Sequence, residues 1–260
     1  MNTSPSHSTA YSNFKSSHEN EKPLLLGNVW DVHSAKLAEK AGFKALGTSS
    51  HAIANSLGYE DGEEISFDEL FFVVEKIIKS VNIPVSVDFE AGYSDNPQEV
   101  ADFVKKLADA GAAGVNLEDG IVKDGKRILE DAEKLAEKIR AIKSKSQIFI
   151  NARADTYTTE HPDALEEAIR RALIYKEAGA DGIFVPLMKS ESEISVFVRK
   201  VDLPLNVFAH AKLPDYEKLA QLGVKRISHG AKQYELLMKK SEEIFDEFIK
   251  SKNYKIVLGE

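Results

Sequence analysis

The chain has 260 residues, a formal charge of −8 at pH 7 and no cysteine. The acidic balance argues against nucleic acid, whose phosphates call for a basic face, and the missing cysteines remove disulfides, thiolate nucleophiles and thiolate metal sites together, as suits a reducing, cytoplasmic setting. No apolar run approaches the roughly 18 residues of a spanning helix, so no membrane partner is expected, and the length suffices for one α/β barrel with a large core.

Residues 1–22, "MNTSPSHSTAYSNFKSSHENEK", are rich in Ser and Asn and poor in branched aliphatics. They read as a disordered tail and lack the apolar stretch or arginines of a targeting peptide. From Pro23 a rhythm begins, in which short aliphatic runs alternate with longer amphipathic segments. The predicted strands are "LLLGNV", "KALGTS", "PVSVDF", "AGVNLE", "QIFINAR", "DGIFVP", "LPLNVFA" and "VKRISH". The predicted helices include "SAKLAEKAG", "FDELFFVVEKIIKSV", "NPQEVADFVKKLADAG", "ILEDAEKLAEKIRAIKS", "DALEEAIRRALIYKEAG", "SEISVFVRKV", "DYEKLAQLG" and a final "KQYELLMKKSEEIFDEFIKS". Each shows apolar residues three and four apart, and several stop at a glycine that can take the left-handed C-cap. Eight strands, each followed by a helix, imply a TIM-type (β/α)8 barrel as a single domain over 23–252, with 253–260 as a short C-terminal tail. An open doubly wound sheet is the alternative, but no GxGxxG or GxxxxGK[ST] turn occurs.

In such barrels the C-terminal strand ends carry the site. Here they supply Trp30 and Asp31, then Asp88 and Glu90, Glu118 and Asp119, then Asn151, Arg153 and Asp155, and later His210 and His229. Strand alternation puts Asp88 and Glu90 on one face, and Glu118 lies on the next strand. Three carboxylates at one barrel mouth repel one another, and a divalent cation relieves that. Oxygen-only ligation favours Mg2+, with Mn2+ as the other candidate. Arg153, one strand on, is placed to hold an anionic substrate bidentately. Against this stands the bland reading, in which isolated acids at strand ends are solvated or cap the next helix. Asp119 and Asp155 fit it well, and so do the two histidines, which more often hydrogen-bond than ligate zinc.

The segments "TSSHAIANSLGYEDGEEIS", "VSVDFEAGY", "GVNLEDG", "FINARAD" and "GADGIFVP", in that order, resemble the isocitrate lyase and phosphoenolpyruvate mutase superfamily, closest to its short phosphonomutase-like members. The resemblance runs from about Gly27 to Ser228 and implies a TIM-type barrel. It also implies a tetramer, or another homo-oligomer, with the last helix exchanged between subunits. It implies Mg2+ bound to a small α-oxo or 2-hydroxy carboxylate, or to a phosphonate, and a C–C or P–C bond made or broken beside an enolate. By position, Asp88 matches the metal ligand, Glu90 and Glu118 the further acids, and Asp61 the acid of the strand-two loop. Ser49, Ser50 and His51 match the segment that binds the substrate carboxylate, and Arg153 the arginine that clamps it. Two departures stand out. Glu90 replaces the usual Asp, and the loop after strand four, "EDGIVKDGKRIL", has neither the Cys nor the His of the lyases; only Lys123 and Lys126 could serve there. A ketopantoate hydroxymethyltransferase-like transfer, and a non-catalytic metal- and carboxylate-binding barrel, are the alternative functions.

Overall fold

The computed structural model describes residues 7–60, 62–123 and 125–259. The chain enters through α1 (His7–Ser17), then the short strands β1 (Leu24–Leu25) and β2 (Gly27–Val29). Strand and helix then alternate through α2 (Val32–Ala41), β3 (Leu46–Thr48), α3 (Ser50–Ser56), α4 (Phe67–Ser80), β4 (Val85–Asp88), α5 (Pro97–Asp109) and β5 (Gly114–Glu118). A hairpin of β6 (Gly120–Lys123) and β7 (Lys126–Leu129) follows, then α6 (Ala132–Lys145), β8 (Phe149–Arg153), α7 (Ala164–Ala178) and β9 (Gly182–Phe184). The chain ends with α8 (Glu191–Lys200), β10 (Leu205–Phe208), α9 (Tyr216–Gln221), β11 (Arg226–Ser228), α10 (Lys232–Ser251) and α11 (Lys255–Leu258).

The nine-stranded sheet runs β1-β11-β10-β9-β8-β5-β4-β3-β2, and every pairing in it is parallel. β1 and β2 are one stretch of chain interrupted at Leu26, and they pair with opposite ends of the sheet. The eight predicted strands therefore close on themselves, which leaves no free edge. The helices form because their caps and faces agree. Ser66 and Glu69 make a reciprocal capping box that starts α4, and its buried Phe67, Leu70, Val74 and Ile77 keep the three- and four-residue spacing of one face. Gly42 ends α2 at φ 98, a left-handed conformation that costs glycine least.

The structure differs from the sequence reading at three places. The hairpin is the first. Ile128 and Leu129, expected at the start of a helix, lie in β7, because Asp131 caps α6 by accepting from the Glu133 N–H and fixes its start at Ala132. The second is α3, which occupies part of what read as a long loop and is capped by Ser49.

The third is the tail. Residues 7–22 are not disordered. Ala10, Tyr11, Phe14 and His18 lie on one helical stripe and are buried. Phe14 is fully enclosed and meets Phe149 edge-on at 5.3 Å, while His18 stacks on Phe149 at 4.3 Å. Their neighbours Leu24, Ala45 and Ala113 mark the N-terminal ends of strands, so α1 plugs the barrel floor. The aromatic stripe outweighs the polar composition, since burying a ring is worth more than the short serine side chains cost to order. At the other end of the chain, 255–258 form the exposed helical turn α11, and α10 exposes Leu236, Phe245 and Ile249.

Truncating Phe14 to Ala should cost about 3 kcal/mol in urea denaturation, the usual cost of emptying a buried aromatic site; an unchanged midpoint would return residues 7–22 to a tail. His18 adds a pH dependence. Its Nδ1 donates to the Phe14 carbonyl at 2.7 Å, and burial, helped by nearby Arg226, pushes its pKa down from 6.5 to about 3. A histidine with a depressed folded pKa gives stability that is complete above its unfolded value and lost as pH falls from 6.5 toward 3. The melting temperature should therefore fall more steeply from pH 6.5 to 4 in the wild type than in His18→Phe; parallel curves would refute this.

Candidate active site

β4 delivers Asp88, β5 delivers Asn116 and Glu118, and β8 delivers Asn151 and Arg153 to the inner, C-terminal end of the barrel. Parallel registers set Asp88 beside Asn116 and Glu118 beside Arg153. Asp88 is held from three sides. Its Oδ2 accepts from the Ser50 N–H at 3.1 Å and the Ser50 hydroxyl at 2.8 Å, and its Oδ1 accepts from Asn116 Nδ2 at 3.3 Å. Its own N–H donates to Thr48 Oγ1 at 2.9 Å. Asp88 lines a cavity of about 300 Å3 together with the polar Asn116, Arg153 and Thr158 and the apolar Phe184, Leu187 and Phe208.

Beside it, two arginines and two acids are interlocked. Arg153 gives Nε and Nη2 to Asp155 Oδ1 at 2.8 and 2.7 Å and Nη1 to Glu118 at 2.6 Å. Arg127, from β7, bonds the other oxygen of Glu118 and reaches Asp155 Oδ2 at 3.1 Å. Thr158 Oγ1 donates to Asp155 at 2.6 Å. The fit is tight enough to require glycine at 120, since a Cβ there would lie 2.3 Å from Asp155 Oδ2.

Burial pushes the Glu118 carboxyl up to about 7, and the neighbouring Asp155 and Asp88 charges add to this against the pull of both arginines. Burial works against the charges of Asp155 and Arg153 too, but their mutual attraction wins. Asp155 is held below the usual carboxylate value, and Arg153 is held above the usual guanidinium value by Asp155, Glu118 and Asp88.

Asp88 and Glu118 do share one rim, since they end the neighbouring parallel strands β4 and β5. The acids do not form a bare three-carboxylate cage, however. Among the described residues no group of three or more His, Cys, Asp or Glu side chains is arranged to hold a metal. Glu118 faces arginines, and Glu90 accepts from the Tyr93 hydroxyl at 3.0 Å and, with Glu118 and Arg127, lines a separate space of about 70 Å3. The expected need for a dication is therefore met in part by the protein's own cations. Asp88, Glu90, Glu118 and Asp155 still outnumber Arg127, Arg153 and the buried Arg226 by four to three. Asp88 is the carboxylate that lines the cavity, and a hard dication that keeps water in most of its positions would fit a site with so few protein oxygens.

The other predicted site residues fare differently. Asp61 lies outside the described residues. The Ser49 N–H is spent on the Val29 carbonyl at 3.0 Å, its Oγ accepts from Ala52 N as the α3 cap, and the Ser50 donors are spent on Asp88. Ser50 thus positions the acid rather than presenting a free amide to an oxyanion. His51 is half-buried in the first turn of α3. Lys123 is exposed near the hairpin tip and is not brought to either space. Arg153 arrives as expected, but its fork already grips two protein acids. Asp119 is a structural anchor, accepting from Arg171 at 3.0 Å, Tyr175 at 2.5 Å and the Asp155 N–H at 2.8 Å. His229 accepts from the Asn28 N–H at 3.2 Å, as a structural histidine would.

Arg127, Asn116 and Thr158 escaped the sequence reading. The only local signal for Arg127 was the alternation of "KRIL" after Asp124-Gly125, which marks a hairpin. Nothing local points its side chain at Glu118.

A family model described as phosphoenolpyruvate phosphomutase matches residues 14–249. The 2-methylisocitrate lyase of Aeropyrum pernix is 30% identical over 245 residues, covering 90% of this chain and 78% of the relative. The phosphoenolpyruvate phosphomutase of Tetrahymena pyriformis is 33% identical over 189 residues, 67% of this chain and 62% of the relative. A crystal structure of a candidate phosphonomutase from Burkholderia cenocepacia superposes with a TM-score of 0.85 at 36% identity, covering 91% of this chain and 99% of that one.

Replacing Arg127 with Ala leaves Glu118 and Asp155 to share one cation and should cost about 3 kcal/mol in chemical denaturation, as breaking a buried ion pair does. A midpoint equal to wild type would show that the hairpin does not hold the acids.

Proposed function

We propose, for a chain that belongs to the phosphoenolpyruvate phosphomutase family, a magnesium-dependent reaction on a small α-oxo or 2-hydroxy carboxylate, or on a phosphonate. The chain is an enzyme of the lyase and mutase kind. The reaction stabilises an α-oxo acid enolate while a C–C or P–C bond is cleaved or rearranged. The observation that carries this reading is the cavity that Asp88 and Arg153 line together with the apolar Phe184, Pro186, Leu187 and Phe208.

Mg2+, or Mn2+ in its place, when bound supplies the positive charge that makes an enolate accessible; Asp88 would hold it, with Glu90 and Glu118 adding negative charge nearby. The remaining work belongs to the chain. Arg153, pinned by Asp155 and Glu118, is a fixed cation with no freedom to lose when it orients a substrate carboxylate. Ser50 and Asn116 hold the Asp88 oxygens in place. Phe184, Pro186, Leu187 and Phe208 exclude water from the reacting centre. Within 49–51, the Ser49 hydroxyl proton and His51 remain the candidates for contacting the substrate carboxylate. The exposure of Lys123 does not support a proton-transfer role for it, and the hairpin carries no thiol, which favours a route other than Cys-dependent cleavage. A homo-oligomer is part of the same reading, supported by the apolar residues that α10 exposes, and so is a cytoplasmic setting, supported by the lack of cysteine.

Calorimetric titration should show Mg2+ binding, and oxalate binding in its presence, with both lost in Asp88→Ala. Absence of both in wild type, or undiminished binding in the variant, would remove this function. Turnover of phosphonopyruvate, oxaloacetate, 2-methylisocitrate or 2,3-dimethylmalate, assayed side by side, would then distinguish mutase from lyase, and inertness toward all four would leave a binding barrel.

A further inference from the structure

We infer that Arg226 is a positioning residue for Asp88, a buried cation that acts through the Asn116 amide to aim the acid and offset its charge. The inference rests on the reading of Asp88 given above.

Arg226 lies on β11 inside the barrel, 1% exposed, as the register partner of Asn206 on β10, which Asn151 links to Asn116. Its Nη2 donates to Asn116 Oδ1 at 3.2 Å, while Nε and Nη1 have no hydrogen-bond partner among the described residues. A buried guanidinium without an ion pair costs several kcal/mol unless some charge compensates it. Burial pushes the Arg226 pKa down to about 9, and among the described residues Asp88 is the carboxylate whose charge pulls the other way.

The connection between them is directional. Arginine can only donate, so the Asn116 oxygen must face it. The same oxygen also accepts from Asn151 Nδ2 at 2.9 Å. That leaves the Asn116 NH2 group turned to Asp88 Oδ1, where it is found at 3.3 Å. The donor-only Arg226 and the acceptor-only Asp88 thus demand the same orientation of the Asn116 amide, which its near-symmetric shape would otherwise leave open. From below, the Phe14 ring of α1 stands 5.8 Å from the guanidinium. The helix that plugs the floor keeps water away, so the field of the cation reaches the rim with little screening. The N-terminal segment is in this way coupled to the active site without touching it.

Titrating Mg2+ alone, and oxalate at saturating Mg2+, into wild type, Arg226→Met and Arg226→Lys tests this. Both variants free the Asn116 amide, and only methionine also removes the charge. Arg226→Lys should therefore bind Mg2+ about tenfold more weakly than wild type, because Asp88 loses its aim. Arg226→Met should bind Mg2+ about tenfold more tightly than Arg226→Lys but oxalate about tenfold more weakly, because a repulsion on the dication and an attraction on the anion are gone, the scale expected for a charge acting through a dry interior. A residue that merely fills space would leave the two variants alike, and that result overturns the proposal. If the Met variant fails to fold, the Lys variant decides, and unchanged Mg2+ affinity in it overturns the proposal. Asp88→Ala separates the two levels: binding that survives it removes the site reading and this inference with it. Binding lost in Asp88→Ala but unchanged in Arg226→Lys removes this inference alone.

Discussion

The rim of this barrel is organised by one constraint, the interlocking of Arg153 and Arg127 with Glu118 and Asp155. Four ionisable groups taken out of water are tolerable only when each meets its opposite at close range and the spare lone pairs find donors. Strand register brings Glu118 beside Arg153, Thr158 supplies a hydroxyl to Asp155, and glycine at 120 leaves room for the Asp155 carboxylate. The consequence is a rigid Arg153, and so a fixed anion-binding direction before any substrate arrives.

The same lock changes the meaning of the loop after strand four. A loop too short to be a long gate folds instead into a two-stranded hairpin that delivers Arg127 to the acids while leaving Lys123 in solvent. The hairpin is thus part of the wall. Chemistry that depends on a loop thiol has no residue to use here, which is consistent with a site that works by charge placement.

Beneath the rim the barrel interior is polar to an unusual depth. Asn151 bridges Asn116 and Asn206, Asn206 reaches Ser228, and Arg226 donates to Asn116. Such a network stabilises a single arrangement only if water is excluded from its lower end. The aromatic stripe of α1 provides that exclusion, with Phe14 and His18 closing on Phe149. The floor and the rim are for that reason one electrostatic unit, and the first helix is not an appendage.

The sequence by itself determined the barrel, because eight aliphatic runs alternating with amphipathic helices leave few ways to bury both faces of a parallel sheet. Strand alternation also carries Asp88, Glu118 and Arg153 to the strand ends, but not Glu90: β4 stops at Asp88, and the left-handed Glu90 at φ 46 leaves the face that alternation assigned it and lines another space. The sequence even held the signal for α1, in the spacing of Tyr11, Phe14 and His18, though the surrounding serines and asparagines masked it. Only the tertiary structure decided how the charges are shared. The partners of Glu118 and Asp155 come from residues 127 and 153, and the donors to Asp88 come from residues 50 and 116. Those pairings depend on where β7 and α3 happen to lie against the barrel. Local pattern fixes which face a side chain takes; which opposite charge it meets is a matter of distance between segments far apart in the chain.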